Sequence, residues 1–202
     1  GDFLSRRAQS YAHCAVRILN YALERRGQLF VDVDNTVNNA WERIRRAALP
    51  AWPGHSFDAA KAFSRAELKR DRPLPQAAEV LARLSRDWEV SFLSARNFPG
   101  AFEATAEWLS AHGFAYSRLI LVGAAVDKVA WLVEWAAQRQ GRVVLVDDLT
   151  RSHHKASPEV DEEVVRKLQE HSIEFIAFNA ETTPWPKLAM LLGEPSSKVF
   201  AK

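Results

Sequence analysis

Residues 28–37, Q-L-F-V-D-V-D-N-T-V, constrain the fold of this chain more than any other stretch. Leu29, Phe30, Val31 and Val33 form an apolar run of β-branched and aromatic residues that reads as a buried strand, and the turn formers Asp34, Asn35 and Thr36 stop it. The strand delivers Asp32 and Asp34 to its carboxyl end. Residues i and i+2 of an extended segment point the same way, so both carboxylates can face one small volume at the mouth of a sheet, where open α/β folds bind ligands. Two carboxylates about 4 Å apart repel by about 4 kcal/mol at an effective dielectric of 20, so the pair needs a cation, a shared proton or a separation. A divalent metal is the economical answer. A D-x-D-x-T pattern arises by chance in about 3% of chains this long, and far less often directly behind an apolar run.

Downstream of this strand the chain alternates regularly. The pattern predicts a helix over 75–86, a strand over 88–93, a helix over 99–112, a strand over 119–122, a helix over 127–140 and a strand over 143–146. A helix over 158–170, a strand over 173–178 and a short helix over 185–192 follow. Strands that alternate with helices imply a parallel sheet with right-handed crossovers, an α/β three-layer Rossmann-like sandwich of about five strands. Residues 37–74 interrupt this order with an insertion much longer than an ordinary βα loop. It reads as two helices, over 38–49 and 56–69, joined by a turn at Pro50, Pro53 and Gly54. Ahead of the first strand, residues 3–26 read as an amphipathic helix ending at Gly27, expected to pack on the core or on a partner protein. Residues 1–27 are therefore set apart from a main domain over 28–202.

With 202 residues, 48% hydrophobic and 26% charged, the chain can bury one good core. A net charge of +2 is too mild to argue for nucleic-acid binding by itself and does not oppose an anionic substrate. The single cysteine, Cys14, excludes an intramolecular disulfide and a multi-cysteine metal site, and makes a reducing, cytoplasmic location the expectation. No apolar run is long enough to span a membrane.

Four further residues, at three places in the chain, have chemistry at element ends. Ser94 closes the strand V-S-F-L-S. Lys128 opens a helix in V-D-K-V-A-W-L, where its ammonium and the helix amino terminus both favour negative charge. Asp147 and Asp148 follow V-V-L-V and are hard oxygen ligands suited to Mg²⁺. D-V-D-N-T behind a hydrophobic strand resembles the first motif of the haloacid dehalogenase superfamily of phosphatases, and these three positions match its other motifs in order. The resemblance implies a Mg²⁺-dependent phosphomonoester hydrolase with a small helical cap formed by residues 37–74. In it Asp32 is the nucleophile and becomes an aspartyl phosphate, Asp34 is general acid and then base, and Ser94 and Lys128 hold the phosphoryl group. Mg²⁺ is held by Asp32, the main-chain carbonyl of Asp34, Asp147 and Asp148. S-A-R after the second strand, T-A-E-W-L at 105–109, Trp131 after the lysine and D-D-L-T-R look most like the 3′-phosphatase domain of polynucleotide kinase-phosphatases and related small-cap acid phosphatases.

Candidate substrate-binding residues are Arg96 and Asn97 after the second strand, with Trp41 and Arg46, and also Arg43, Trp52 and His55, from the insertion. From sequence it stays open whether those tryptophans instead bury themselves while the arginines solvate a helix face. Arg96, Arg151, His153, His154 and Lys155 suit an anionic nucleotide, a nucleic-acid end or a sugar phosphate equally well, and the two histidines read as a loop rather than as metal ligands. The competing functions are a non-catalytic binding module of the same fold, acting through the amino-terminal helix or the cap, and a phosphotransferase.

Overall fold

The computed structural model of the chain describes residues 27–139, 141–157 and 159–193. The helix expected over residues 3–26 lies outside these. The apolar run forms β1 (Gly27–Val31), which lies at the centre of a five-stranded sheet with β4 (Trp88–Ala95), β5 (Arg118–Val122), β6 (Val143–Asp147) and β9 (Glu174–Ala177). The strand order is β5-β4-β1-β6-β9 and every pairing is parallel. The chain winds outward from β1 on one side, then returns to its other side with β6. The carboxyl ends of β1 and β6 therefore flank the point where the winding reverses, which is where sheets of this kind leave a crevice.

Alternation along the strands fills both faces. Leu29, Val31, Val90, Phe92, Val144 and Val146 pack against α4 (Ala77–Leu84), α5 (Ala101–Ala111) and α8 (Trp185–Gly193). Phe30, Leu93 and Leu145 point to the opposite face, where α6 (Ala125–Ala137) and α7 (Glu162–Glu170) contribute Val129, Leu132, Val164 and Leu168. A sheet covered on both faces needs near-continuous apolar strands, which is why L-F-V and V-V-L-V show no polar alternation. The three-layer α/β architecture and its five parallel strands are as expected.

The insertion differs in detail from the two long helices expected over 38–49 and 56–69. One short helix, α1 (Trp41–Arg46), is followed by an antiparallel ribbon of β2 (Ala48–Leu49) and β3 (Ser56–Phe57), then by two single-turn helices, α2 (Ala59–Ala62) and α3 (Arg65–Leu68). Local chemistry explains the breaks. Pro50 and Pro53 cannot continue a helix. Asp58 accepts from the Lys61 N–H at 3.1 Å and Ser64 accepts from the Glu67 N–H at 3.3 Å, so each starts a new helix within the expected one. A second ribbon pairs β7 (Thr150–Arg151) with β8 (Glu159–Val160), and α7 starts only at Glu162, capped by Asp161. The two ribbons meet where the Gly54 N–H donates to the His154 carbonyl at 2.8 Å. A Cβ at Gly54 would stand 2.6 Å from the Leu49 carbonyl oxygen, so that close approach requires glycine. Among the described residues no helix is long and apolar enough to cross a membrane.

Phe30 is fully buried and meets the edges of Trp131 and Trp135 at centroid distances of 5.2 and 5.9 Å. Replacing it with alanine empties the centre of one layer, and the expected loss is about 3–5 kcal/mol of unfolding free energy, measured by guanidinium titration.

Candidate functional site

Asp32 leaves the end of β1, Ser94 lies at the end of β4, and Asp147 closes β6, so three adjacent strands deliver polar side chains to one edge of the sheet. Lys128 reaches the same place from the first turn of α6. The turn after β1 is fixed by its own residues. Asn35 takes φ +59°, a left-handed conformation that asparagine tolerates better than most residues, and its N–H donates to the Asn38 Oδ1 at 3.0 Å. Thr36 joins this turn to the neighbouring one, since its hydroxyl accepts from the Asp148 N–H at 3.2 Å. Its carbonyl accepts from the Trp185 indole at 2.8 Å.

At the centre stands the Lys128 ammonium. It donates to Asp32 Oδ1 at 2.8 Å and to Asp147 Oδ2 at 2.6 Å, and all three side chains are buried. The other oxygen of Asp147 accepts from the Leu149 N–H at 2.8 Å. Asp148 stands beside the pair, bonded by the Thr150 hydroxyl and 3.6 Å from His153 Nε2. Burial pushes the Asp32 carboxyl up to about 6, with the Asp147 charge adding to the rise and Lys128 opposing it. Burial raises Asp147 as well, against the pull of Lys128. Burial alone would lower Lys128, yet Asp147 and Asp32 outweigh it and hold the ammonium above its ordinary value. Asp32, Asp147 and Asp148 each offer an oxygen, and these oxygens lie within 4.8 Å of one another. One lysine charge cannot neutralise three carboxylates, so this volume suits a divalent cation with hard oxygen ligands.

Asp34 belongs to a separate network. Its carboxylate accepts from Arg96 Nε at 2.9 Å and Nη2 at 2.8 Å, and from Arg43 Nη2 at 2.5 Å. Burial works against its charge, but the Arg96 and Arg43 guanidiniums hold its carboxyl well below the usual range. The expected repulsion between Asp32 and Asp34 is thus met by giving each its own protein cation. Arg43 also donates to Asp71 through Nε at 3.1 Å and to the Ala62 carbonyl at 2.9 Å, which ties the insertion to the sheet edge. Arg96 is completed by Thr105, whose hydroxyl accepts at 2.7 Å.

Asp32, Asp34, Ser94, Lys128, Asp147 and Asp148 line one cavity of 160 Å³. Ile44 and Phe63 of the insertion also line it, so the insertion covers the site. Ser94 lines this volume, and no described residue hydrogen-bonds its hydroxyl. Arg151 and His153 reach the rim, while Trp41 lies beyond it with its ring 4.4 Å from that of His153. Arg46 and Asn97 are not brought to the cavity: Arg46 is exposed and paired with Glu67 at 2.9 Å, and Asn97 is exposed. Arg96 does not line the cavity and meets it only through Asp34, with its remaining bond to Thr105. Asp71 was not legible as part of the site, since K-R-D-R-P reads as a solvated turn.

No protein-family model matches the sequence, and no curated protein matches it significantly. Solved structures do share its fold. A chain in a structure of the Pnkp1/Rnl/Hen1 RNA repair complex superposes with a TM-score of 0.51 at 17% identity, covering 77% of this chain and 43% of that one. A second structure of the Pnkp1/Rnl/Hen1 complex gives 0.51 at 16% identity, over 77% and 46%. This chain therefore spans less than half the length of those neighbours. A haloacid dehalogenase-like family hydrolase from Streptococcus pneumoniae aligns over 84% of this chain and 99% of its own, at 14% identity and a TM-score of 0.48.

Asp71 supplies a pH test. Burial pushes its carboxyl up to about 7, with the charge of Asp34 adding to the rise and Arg43 opposing it. A carboxyl whose folded pKa exceeds its unfolded value of about 3.9 binds more protons when folded, so its contribution to stability falls as pH rises between about 4 and 7. In Asp71→Asn this downward slope becomes shallower, by up to about 1.4 kcal/mol per pH unit, measured by urea titration at successive pH values in the presence of a chelator.

Proposed function

We propose that this chain is a Mg²⁺-dependent phosphomonoesterase of the haloacid dehalogenase superfamily. The observation that carries the reading is the Lys128 ammonium shared between Asp32 at 2.8 Å and Asp147 at 2.6 Å, with Asp148 beside them, at the mouth of the sheet. Mg²⁺ held by Asp32, the main-chain carbonyl of Asp34, Asp147 and Asp148 would offset the charge between an attacking carboxylate and a phosphate dianion. Asp32, kept ionised by Lys128 at neutral pH, attacks phosphorus in line, and the phosphorus–oxygen bond to the alcohol breaks. A water molecule then attacks the aspartyl phosphate, releasing inorganic phosphate and restoring the carboxylate. Ser94 donates its hydroxyl to a phosphoryl oxygen, and Lys128 neutralises charge that gathers there.

Asp34 is placed to move protons. In the free protein Arg43 and Arg96 hold it as a carboxylate, the form that accepts a proton from the attacking water. For it to protonate a departing alkoxide it must first take up a proton from solvent, which requires the bound phosphate dianion to draw part of the guanidinium charge to itself and so raise the Asp34 pKa. Substrates with good leaving groups do not need this donation.

The candidate substrates are a nucleotide, a nucleic-acid end and a sugar phosphate. The nucleic-acid end gains support from the RNA repair complex named above, one chain of which shares this fold. With Cys14 its single cysteine, the protein fits a reducing compartment, and we place it in the cytoplasm.

Hydrolysis of p-nitrophenyl phosphate tests the assignment. With Mg²⁺ present the rate is expected to rise well above background and to vanish on chelation, and Asp32→Asn is expected to lower kcat by a factor of about 10³ or more. Unchanged turnover in that variant removes the nucleophile. Capture of the phosphoryl group by added alcohols in preference to water identifies a phosphotransferase instead.

A further inference from the structure

The three carboxylates at the mouth of the sheet are not held alike. Lys128 donates to Asp32 at 2.8 Å and to Asp147 at 2.6 Å, and Asp147 also accepts from the Leu149 N–H. Asp148 has no share in that ammonium. Among the described residues its side chain meets only the Thr150 hydroxyl, which donates to Oδ2, and His153, whose Nε2 stands 3.6 Å from the same oxygen.

Counting hydrogens orders these contacts. An ionised carboxylate only accepts, so the one hydrogen of the Thr150 hydroxyl goes to Asp148. The hydroxyl then has only lone pairs to offer His153 Nε2, 2.8 Å away, so Nε2 carries a hydrogen and donates it. A relay runs from the imidazole through the hydroxyl to the carboxylate. Its two ends are largely buried, at 15% exposure for the His153 side chain and 12% for that of Asp148, which limits competition from water.

The backbone of this loop bends sharply enough to bring residues 148, 150 and 153 together. Leu149 takes φ +43° and Ser152 φ +61°, left-handed values that are unfavourable for a bulky buried residue such as Leu149 and persist only where the surroundings enforce them. The insertion supplies part of that enforcement. Trp41 of α1 meets the His153 ring edge-on, with 4.4 Å between centroids and 67° between planes, and the His154 carbonyl is fixed by the Gly54 N–H.

We propose that Thr150 and His153 are positioning residues for the divalent cation: their relay stops the Asp148 carboxylate from rotating, so that it faces the same volume as Asp32 and Asp147 before the ion arrives. The inference rests on the reading of this cluster as a Mg²⁺ site. Groups that orient a metal ligand from behind are worth about 10–100-fold in metal affinity.

Titration with Mn²⁺, a paramagnetic substitute for Mg²⁺, followed by electron paramagnetic resonance of the free ion, tests the relay. No substrate is present, so a direct contact between His153 and a substrate does not enter. Thr150→Val is expected to weaken Mn²⁺ binding by about tenfold or more, and Thr150→Ser to leave it within about twofold. His153→Phe keeps a flat ring against Trp41 without an N–H, and is expected to weaken binding by about threefold or more, being one bond further from the ion. Valine suits a strand better than serine does, so a purely structural role for residue 150 gives the opposite order. That opposite order, equal losses in the two, or unchanged affinity in Thr150→Val or in His153→Phe overturns the proposal. In the chelated protein, at a pH where the imidazole is neutral, nitrogen NMR is expected to find the His153 hydrogen on Nε2, and a hydrogen on Nδ1 overturns the relay. Failure of the unaltered protein to bind millimolar Mn²⁺ removes the cation site and the phosphatase reading with it, whereas binding that ignores these variants removes the relay alone.

Discussion

A buried ammonium shared by two carboxylates is the contact on which this structure turns. Lys128 leaves a helix on one face of the sheet and meets Asp32 and Asp147 from two adjacent strands, joining segments 96 and 19 residues apart in the chain. None of the three charges is tolerable alone at that depth, and removing one leaves the others uncompensated. The parallel sheet makes the meeting possible, since neighbouring parallel strands end at the same edge and deliver their last residues together. The helix adds its own positive potential at its amino terminus, on the side where the carboxylates gather.

The second ion network divides the work differently. Arg43 comes from the insertion and Arg96 from the end of β4, and both grip Asp34. The carboxylate proposed to exchange protons is the one held most firmly as an anion. Arg43 thus ties the insertion to Asp34 and helps set its charge, while its guanidinium also joins Asp71 and the Ala62 carbonyl. Any movement of the insertion acts on Asp34 through that guanidinium.

Much of this was legible before the structure. The apolar runs at 29–33 and 143–146 and the acidic residues at their ends placed the sheet and the edge where the carboxylates gather, because burial on both faces and strand polarity leave few alternatives. The insertion was misread where local caps override helical periodicity, at Asp58 and Ser64. Arg43 carried a usable signal: Ala40, Arg43, Ile44 and Ala47 fall on one helical face, and all four are buried, while Arg45 and Arg46 beside them are exposed. An arginine on the apolar side of a short helix calls for a buried anion. Asp71 carried none, since its partners lie 28 and 33 residues away and nothing in K-R-D-R-P separates it from a solvated turn.

Thr36 has one further consequence. Its carbonyl accepts from the Trp185 indole, 149 residues later in the chain, and its hydroxyl anchors the loop that carries Asp148. The turn that follows the first aspartate is therefore braced by a helix far along the chain, and that brace cannot form before residue 185 has been synthesised.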